Sequence, residues 1–363
     1  MAQPTAFDTA LSVADLARAL IDMPSVSGGE KALADAIEAT LLPCAHLEVI
    51  RDADAVVART TQGRARRVII AGHIDTVPIN ANVPSRCEGT GDEAVIWGRG
   101  AVDMKAGCAL ALKLAVGLTE PSVDVTWIFY DHEEVEARLN GLGRLATNLP
   151  HLLEGDFAIL GEPSNAVVEG GCNGTLRVDV RTRGRRAHSA RAWTGDNAIH
   201  RLAPLLSILE NFSAQTVEVD GLAYREGLSA VGVRGGVAAN VIPDEAVITV
   251  NYRFAPNKTE AEAVTYVRQI FDGFEIEVVD SSAGARPGLT SGIAAEFLAA
   301  VGAEARPKYG WTDVARFSAL GIPAVNFGPG DPELAHTDDE RVPVTQIESC
   351  ERVLRTWLTA DRA

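Results

Sequence analysis

Three short apolar runs in this chain each end in residues able to bind a cation, and that recurrence limits the fold more than any other feature. Residues 68–70, Val-Ile-Ile, lead through Gly72 to His73 and Asp75; residues 123–130, VDVTWIFY, lead into Asp131-His132-Glu133-Glu134; Phe157–Leu160 leads into Gly161-Glu162-Pro163. Runs of β-branched and aromatic residues bounded by glycine, proline or charge read as buried strands. Helical spacing at 11–22 and 31–42, followed by strands at 47–51 and 55–59, and again at 108–118 between the first two runs, is α/β alternation. In open α/β sheets ligands gather at the carboxyl ends of the strands. His73 and Asp75, two apart on an extended chain, share a face. Glu133 and Glu134 are adjacent and diverge, so they suit different tasks.

The pattern changes after residue 175. Segments 176–182, 198–209, 228–234, 246–254, 259–271 and 274–279 read as strand, helix, two strands, helix, strand, a compact α+β unit of the ferredoxin-like kind. The chain then returns with a helix at 292–301, a strand at 324–327, the loop Gly328-Pro329-Gly330, His336 in LAHTDDE, and a helix at 344–358. Residues 1–174 and 288–363 are therefore expected to form one discontinuous domain, with 175–287 inserted into it. A chain of 363 residues is long enough to give each a core.

The formal net charge of -16 argues against nucleic-acid binding, which needs a basic face. No apolar run approaches the roughly 20 residues of a membrane span. Asp8, Asp15 and Asp22 stand where a secretory leader carries a cationic flank and apolar core, so a cytoplasmic location is expected. The five cysteines are scattered without C-x-x-C spacing, against both a disulfide framework and a thiolate zinc site. Arg177, Arg181, Arg183 and Arg185 recur at period two, with Arg186 and Arg191 nearby. Two readings stand for them: a face that steers an acidic substrate, or the solvated outer face of an edge strand kept from aggregating by charge.

His73, Asp103, Glu134, Glu162 and His336 make a candidate ligand set of imidazoles and carboxylates. Asp103, at the entry to a helix in GRGAVDMKAG, also suits a helix cap. A mixed nitrogen and oxygen set without thiolates suits zinc or another first-row ion kept open for catalysis. Such a set exceeds one tetrahedral ion and suits two ions sharing a carboxylate, with Glu133 placed to take a proton from a water between them.

The strings GHIDTVP, GRGAVDMKAG, DHEEV and GEP and the late His336, spanning about residues 68–340, resemble the M20 family of co-catalytic metallopeptidases and deacylases. The resemblance implies a phosphorylase/hydrolase-like zinc-exopeptidase catalytic domain with an inserted lid or dimerisation domain, and a homodimer through that insert. It implies two Zn2+ ions, replaceable by Co2+ or Mn2+, one held by His73, Asp103 and Glu162 and the other by Asp103, Glu134 and His336. Asp103 bridges in that pattern, Asp75 orients His73, and Glu133 is the general base. His188, in RAHSA, matches a lid histidine that stabilises the oxyanion in a partner subunit. Asn240 and Arg253 match positions that hold a substrate carboxylate, while Thr312, Asp313 and Gly328 line the catalytic-domain side of the pocket. A glutamate at the position of Glu162 goes with deacylases and carboxypeptidases. FYDHEEV, GGCNGTLRV and GWTDVARF are most similar to the actinobacterial branch that hydrolyses N-succinyl-diaminopimelate, a small-molecule N-acyl amino acid. Acetylornithine deacetylation and glutamate-type carboxypeptidase activity are the alternatives within the same chemistry.

Overall fold

The structure is a computed structural model that describes residues 5–361. Residues 1–4 and 362–363, the extreme ends of the expected discontinuous domain, lie outside it, as does the start of the segment judged for a leader. The described chain divides into two compact units: residues up to Gly170 with Gly288–Arg306 and from Arg316 onward, and Gly171–Pro287 with Pro307–Ala315.

In the first unit the described residues build an eight-stranded mixed sheet. Its order is Glu48–Asp52, Ala55–Arg59, Asp124–Tyr130, Arg67–His73, Phe157–Leu160, Ala324–Asn326, Glu169–Gly170 and Arg306–Pro307. The four strands from Asp124–Tyr130 to Ala324–Asn326 run parallel, with His73 beside Tyr130 and Ala71 beside Leu160. Their carboxyl ends therefore open on one edge. Every residue of Asp124–Tyr130 is buried, as a strand covered on both faces must be. Helices Val13–Ile21, Lys105–Gly117 and Val344–Thr359 supply one cover, with Leu16, Leu20, Leu110, Leu114, Leu354 and Trp357 in the shared core.

Helix Lys105–Gly117 is built largely of small residues because it lies close to the sheet. A Cβ at Gly107 would stand 2.2 Å from the carbonyl oxygen of Gly161, so only glycine permits the approach. Helix Val13–Ile21 starts at Ser12, whose hydroxyl accepts the N–H of Asp15. Helix Gly141–Asn148, capped by Asn140, has no counterpart among the sequence expectations. Leu142 and Leu145, three apart, form its buried face, but the helix is short and opens on G-L-G, which has low helical propensity.

The second unit holds an antiparallel sheet in the order Gly227–Gly235, Glu245–Phe254, Gly174–Arg183, Glu275–Ser282. Helices Ala203–Glu210 and Glu260–Ile270 pack on one face, where Leu202, Leu205, Ala263 and Val267 meet Leu176, Val178 and Val180. This is the expected ferredoxin-like order. The helix expected over 198–209 begins as a short 3-10 turn at His200–Leu202, because Pro204 belongs in the first turn of the helix that follows. A hairpin, Thr216–Val219 with Leu222–Arg225, is added between strand and helix. Its turn, Asp220-Gly221, has positive φ at both residues, the geometry that Asp-Gly accepts.

The arginine face is resolved differently from either expectation. Gly174–Arg183 is a central strand, so edge protection does not apply. Arg177 pairs with Asp280, Arg181 with Glu245 and Glu277, and Arg183 with Glu245 and Glu275. Arg186 pairs with Asp244, and Arg234 with Asp179. Carboxylates, most of them from the flanking strands, thus pair with Arg177, Arg181, Arg183 and Arg186. Among the described residues, no helix is long and apolar enough to cross a membrane.

Candidate metal centre

The carboxyl edge of the parallel strands collects the donors. His73 closes its strand with the ring buried, its Nε2 2.9 Å from Asp103 Oδ1 and 4.0 Å from Glu162 Oε1. The other ring nitrogen, Nδ1, lies 3.0 Å from the carbonyl oxygen of Asp75 and 3.5 Å from its carboxylate. A partner on Nδ1 fixes the ring and leaves Nε2 as the donor atom. His336 Nε2 lies 3.3 Å from the second oxygen of Asp103 and 3.1 Å from Glu134 Oε1. Asp103 thus offers one oxygen to each imidazole. Donor atoms of His73, Asp103 and Glu162 all lie within 4.8 Å of one another, and so do those of Asp103, Glu134 and His336.

The loop after Tyr130 is held from below. Asp75 accepts the backbone N–H of Glu133 at 3.0 Å and of Glu134 at 3.1 Å, one on each carboxylate oxygen, and Ser27 donates its hydroxyl at 2.7 Å. His132, at φ 57, turns the other way, its Nδ1 2.7 Å from Asp131 and its backbone N–H on the buried Glu30. Asp131 is anchored by Arg144. Glu133 and Glu134 therefore leave a backbone fixed by carboxylates that take no part in the ligand set.

The carboxylates around the two imidazoles favour their protonated forms. Burial alone would lower His73, but its hydrogen bonds to Asp103 and Asp75 carry it well above the ordinary histidine value. His336 is raised to about 10 by hydrogen bonds to Asp103 and Glu134. Asp103, despite burial, is driven far down by the same two imidazoles. Two imidazole nitrogens and crowded carboxylate oxygens, with positive charge required among them, are the donor chemistry of first-row divalent cations, so the residues present fit the implied metal.

The second unit holds most of the other expected residues. His188 is exposed, and its Nδ1 accepts the N–H of Ala190 at 3.0 Å. Asn240 lies beside it, its carbonyl oxygen accepting the N–H of Ser189 at 2.9 Å. Arg253 donates to the side chain of Asn251. Thr312 and Asp313, expected on the catalytic-domain side, are buried in the second unit instead. Their segment is tied there by Lys308, whose carbonyl oxygen accepts the N–H of Asn173, and by Trp311, which donates to Ala283. Gly328 is in the first unit, packed on Gly161 and Glu162. Residues that no sequence motif singled out also brace the centre. Glu340 and Arg99 form a buried ion pair of 2.8 Å, and Cys108 donates its thiol to the carbonyl oxygen of His73. Lys105, lowered to about 8 by burial, donates to Met23. Arg99 and Lys105 lie inside the string GRGAVDMKAG, where only Asp103 carries an expected role.

Comparison with known proteins shows the family. Residues 69–360 match the profile of Peptidase family M20/M25/M40. A succinyl-diaminopimelate desuccinylase of Corynebacterium glutamicum is 48% identical, the match covering 95% of each chain. A Mycobacterium tuberculosis protein provisionally given the same name is 52% identical over 95% of this chain and 97% of its own. A Bacillus subtilis protein described as a dinuclear metal binding peptidase superposes with a TM-score of 0.70, covering 96% of each chain at 18% identity, which speaks for the fold alone.

Proposed function

This chain belongs to peptidase family M20/M25/M40, and from that premise we propose that it hydrolyses N-succinyl-L,L-2,6-diaminopimelate to succinate and L,L-2,6-diaminopimelate, a step toward lysine and meso-diaminopimelate. The observation that carries the substrate is the near full-length identity to the Corynebacterium glutamicum desuccinylase. The chemistry is supported by the two donor trios that share Asp103.

His73, Asp103 and Glu162 would hold one divalent cation, and Asp103, Glu134 and His336 a second, with zinc the first choice and cobalt or manganese acceptable to the same donors. Bound there, such ions supply Lewis acidity, polarising an amide carbonyl and making water more acidic. Glu133 takes the proton from the attacking water and returns it to the leaving amine nitrogen. Asp75 keeps that base in place through the N–H groups of Glu133 and Glu134. On the family pattern, His188 donates to the oxyanion of the tetrahedral intermediate, supplied from the partner subunit of a homodimer formed through the insert. The same pattern assigns Asn240, Arg253, Thr312, Asp313 and Gly328 to the substrate. A cytoplasmic location completes the proposal.

The test is steady-state hydrolysis of N-succinyl-L,L-diaminopimelate by the metal-loaded protein beside N-acetyl-L-ornithine. A kcat/KM at least about a hundredfold higher for the succinyl compound, some 3 kcal/mol of discrimination, is expected. Activity confined to acetylornithine would keep the chemistry and reject the substrate.

A further inference from the structure

Of the ligands proposed above, His336 is the one least supported by regular structure. His73 ends a strand, Glu162 and Glu134 follow strands, and Asp103 precedes a helix. His336 sits in a loop between the turn Pro332–Leu334 and the strand Arg341–Pro343, at φ 64, with its side chain 55% exposed. Positive φ in a residue other than glycine costs energy and persists only where neighbours enforce it.

Thr337 closes the turn around His336 through its N–H and hydroxyl on the carbonyl oxygen of Leu334, and the Arg99–Glu340 pair ties that turn to the rest of the site. Both residues are buried, at 3% and 1% exposure. Glu340 Oε1 accepts the backbone N–H of Val102 at 2.9 Å and of Asp103 at 3.1 Å. Its Oε2 accepts from Arg99 at 2.8 Å. The same guanidinium nitrogen of Arg99 donates to the carbonyl oxygen of Thr337, the residue after His336, at 3.2 Å, while Nε donates to Pro78. The N–H of Gly98 returns to the carbonyl oxygen of Glu340. One ion pair thus fastens the segment that presents Asp103 to the loop that presents His336.

We infer that Arg99 and Glu340 are positioning residues that register His336 against Asp103 and so set the occupancy of the second cation site, independently of the first. This rests on the dinuclear reading given above. Only the second trio draws on His336. The first has His73 and Glu162 at strand ends and meets the loop only through Asp103, whose backbone N–H bonds an oxygen that Glu340→Gln retains.

The experiment is calorimetric titration of the metal-free full chain with Co2+, read in parallel by visible absorption. Glu340→Gln keeps an oxygen for the N–H groups of Val102 and Asp103 but turns an NH2 toward Arg99, releasing the guanidinium and the Thr337 contact. The wild-type chain is expected to take two equivalents, and His336→Ala to lose the second. In Glu340→Gln the first equivalent should stay within threefold of wild type while the second weakens 10–100-fold, the range for loss of a partner behind a ligand. Should that variant unfold early, Arg99→Met with Glu340→Gln removes both charges and strands neither, and the same selective loss is expected. Two equivalents bound as tightly as in the wild type, or equal weakening of both, overturns the inference. A wild-type chain that takes fewer than two ions, or His336→Ala that keeps two, removes the dinuclear reading and the inference together.

Discussion

Gly328→Ala isolates the demand that close backbone packing places on the site. A Cβ at 328 would lie 2.3 Å from the carbonyl oxygen of Gly161 and 2.6 Å from that of Glu162, where ordinary contact begins at 3.4 Å. Neither neighbour is the end of a flexible side chain. Residue 328 itself is pinned: its N–H donates to Ser164 Oγ at 3.1 Å, and its carbonyl oxygen accepts the N–H of Ala166 at 3.0 Å. The strain must therefore move Gly161 and Glu162 by about 1 Å, with Glu162 carrying its carboxylate away from His73. A misplacement of about 1 Å costs on the order of 100-fold in rate, and overpacking of this kind costs about 1–3 kcal/mol of stability. Initial rates with N-succinyl-L,L-diaminopimelate at saturating metal, beside thermal unfolding of the same preparations, measure both. A variant with kcat/KM within threefold of wild type and an unchanged melting temperature would refute the packing argument.

Glu133→Gln keeps the shape and the backbone N–H on Asp75 but removes the base, so kcat should fall about 10²–10⁴-fold with the Co2+ stoichiometry unchanged; a loss of bound metal instead would show that Glu133 serves as a ligand. Between pH 6.5 and 8, chelated protein should lose stability as pH rises. His73 and His336 keep their protons in the folded state well above 6.5 and release them in the unfolded state, so the stability they add is full below 6.5 and fades upward. The window stops at 8 because Lys105, at about 8, begins to favour the folded state above it. Metal affinity should rise over the same window, since the cation must displace those protons. Melting curves of the chelated protein that are flat or rise from pH 6.5 to 8 would contradict the assignment.

The donors were legible because of where strands stop. Acids that follow a strand buried on both faces, as Glu133-Glu134 and Glu162 do, stand out against its apolar run, and the structure brings Glu134 and Glu162 within reach of His336 and His73. The ferredoxin-like order was legible for a related reason, since period-two alternation at 176–182 survives in Leu176, Val178, Val180 and Thr182. What escaped was whatever depends on register or on backbone partners. The arginines of Gly174–Arg183 alternate as read, but Glu245, Glu275, Glu277 and Asp280 come to them from other strands. Glu340 is one of several acids in HTDDER, and its task is set by N–H groups of Val102 and Asp103 more than two hundred positions away. The grouping of Thr312 and Asp313 with the second unit escaped as well, since the contacts of Lys308 and Trp311 that accompany it are to backbone carbonyl and N–H groups.

The parallel pairing of Ala324–Asn326 with Phe157–Leu160 spans residues 171–287 of the second unit, and this sets an order on the growing polypeptide. A ribosome adding about 5–20 residues per second needs on the order of 10 s to pass from Leu160 to Ala324. During that interval one flank of Phe157–Leu160 has no strand beside it, while all four strands of the second unit's main sheet emerge and can pair among themselves. His336 follows later still. A nascent chain halted before it carries His73, Asp103 and Glu162 complete, and gains the imidazole of the second trio only more than 170 residues after Glu162.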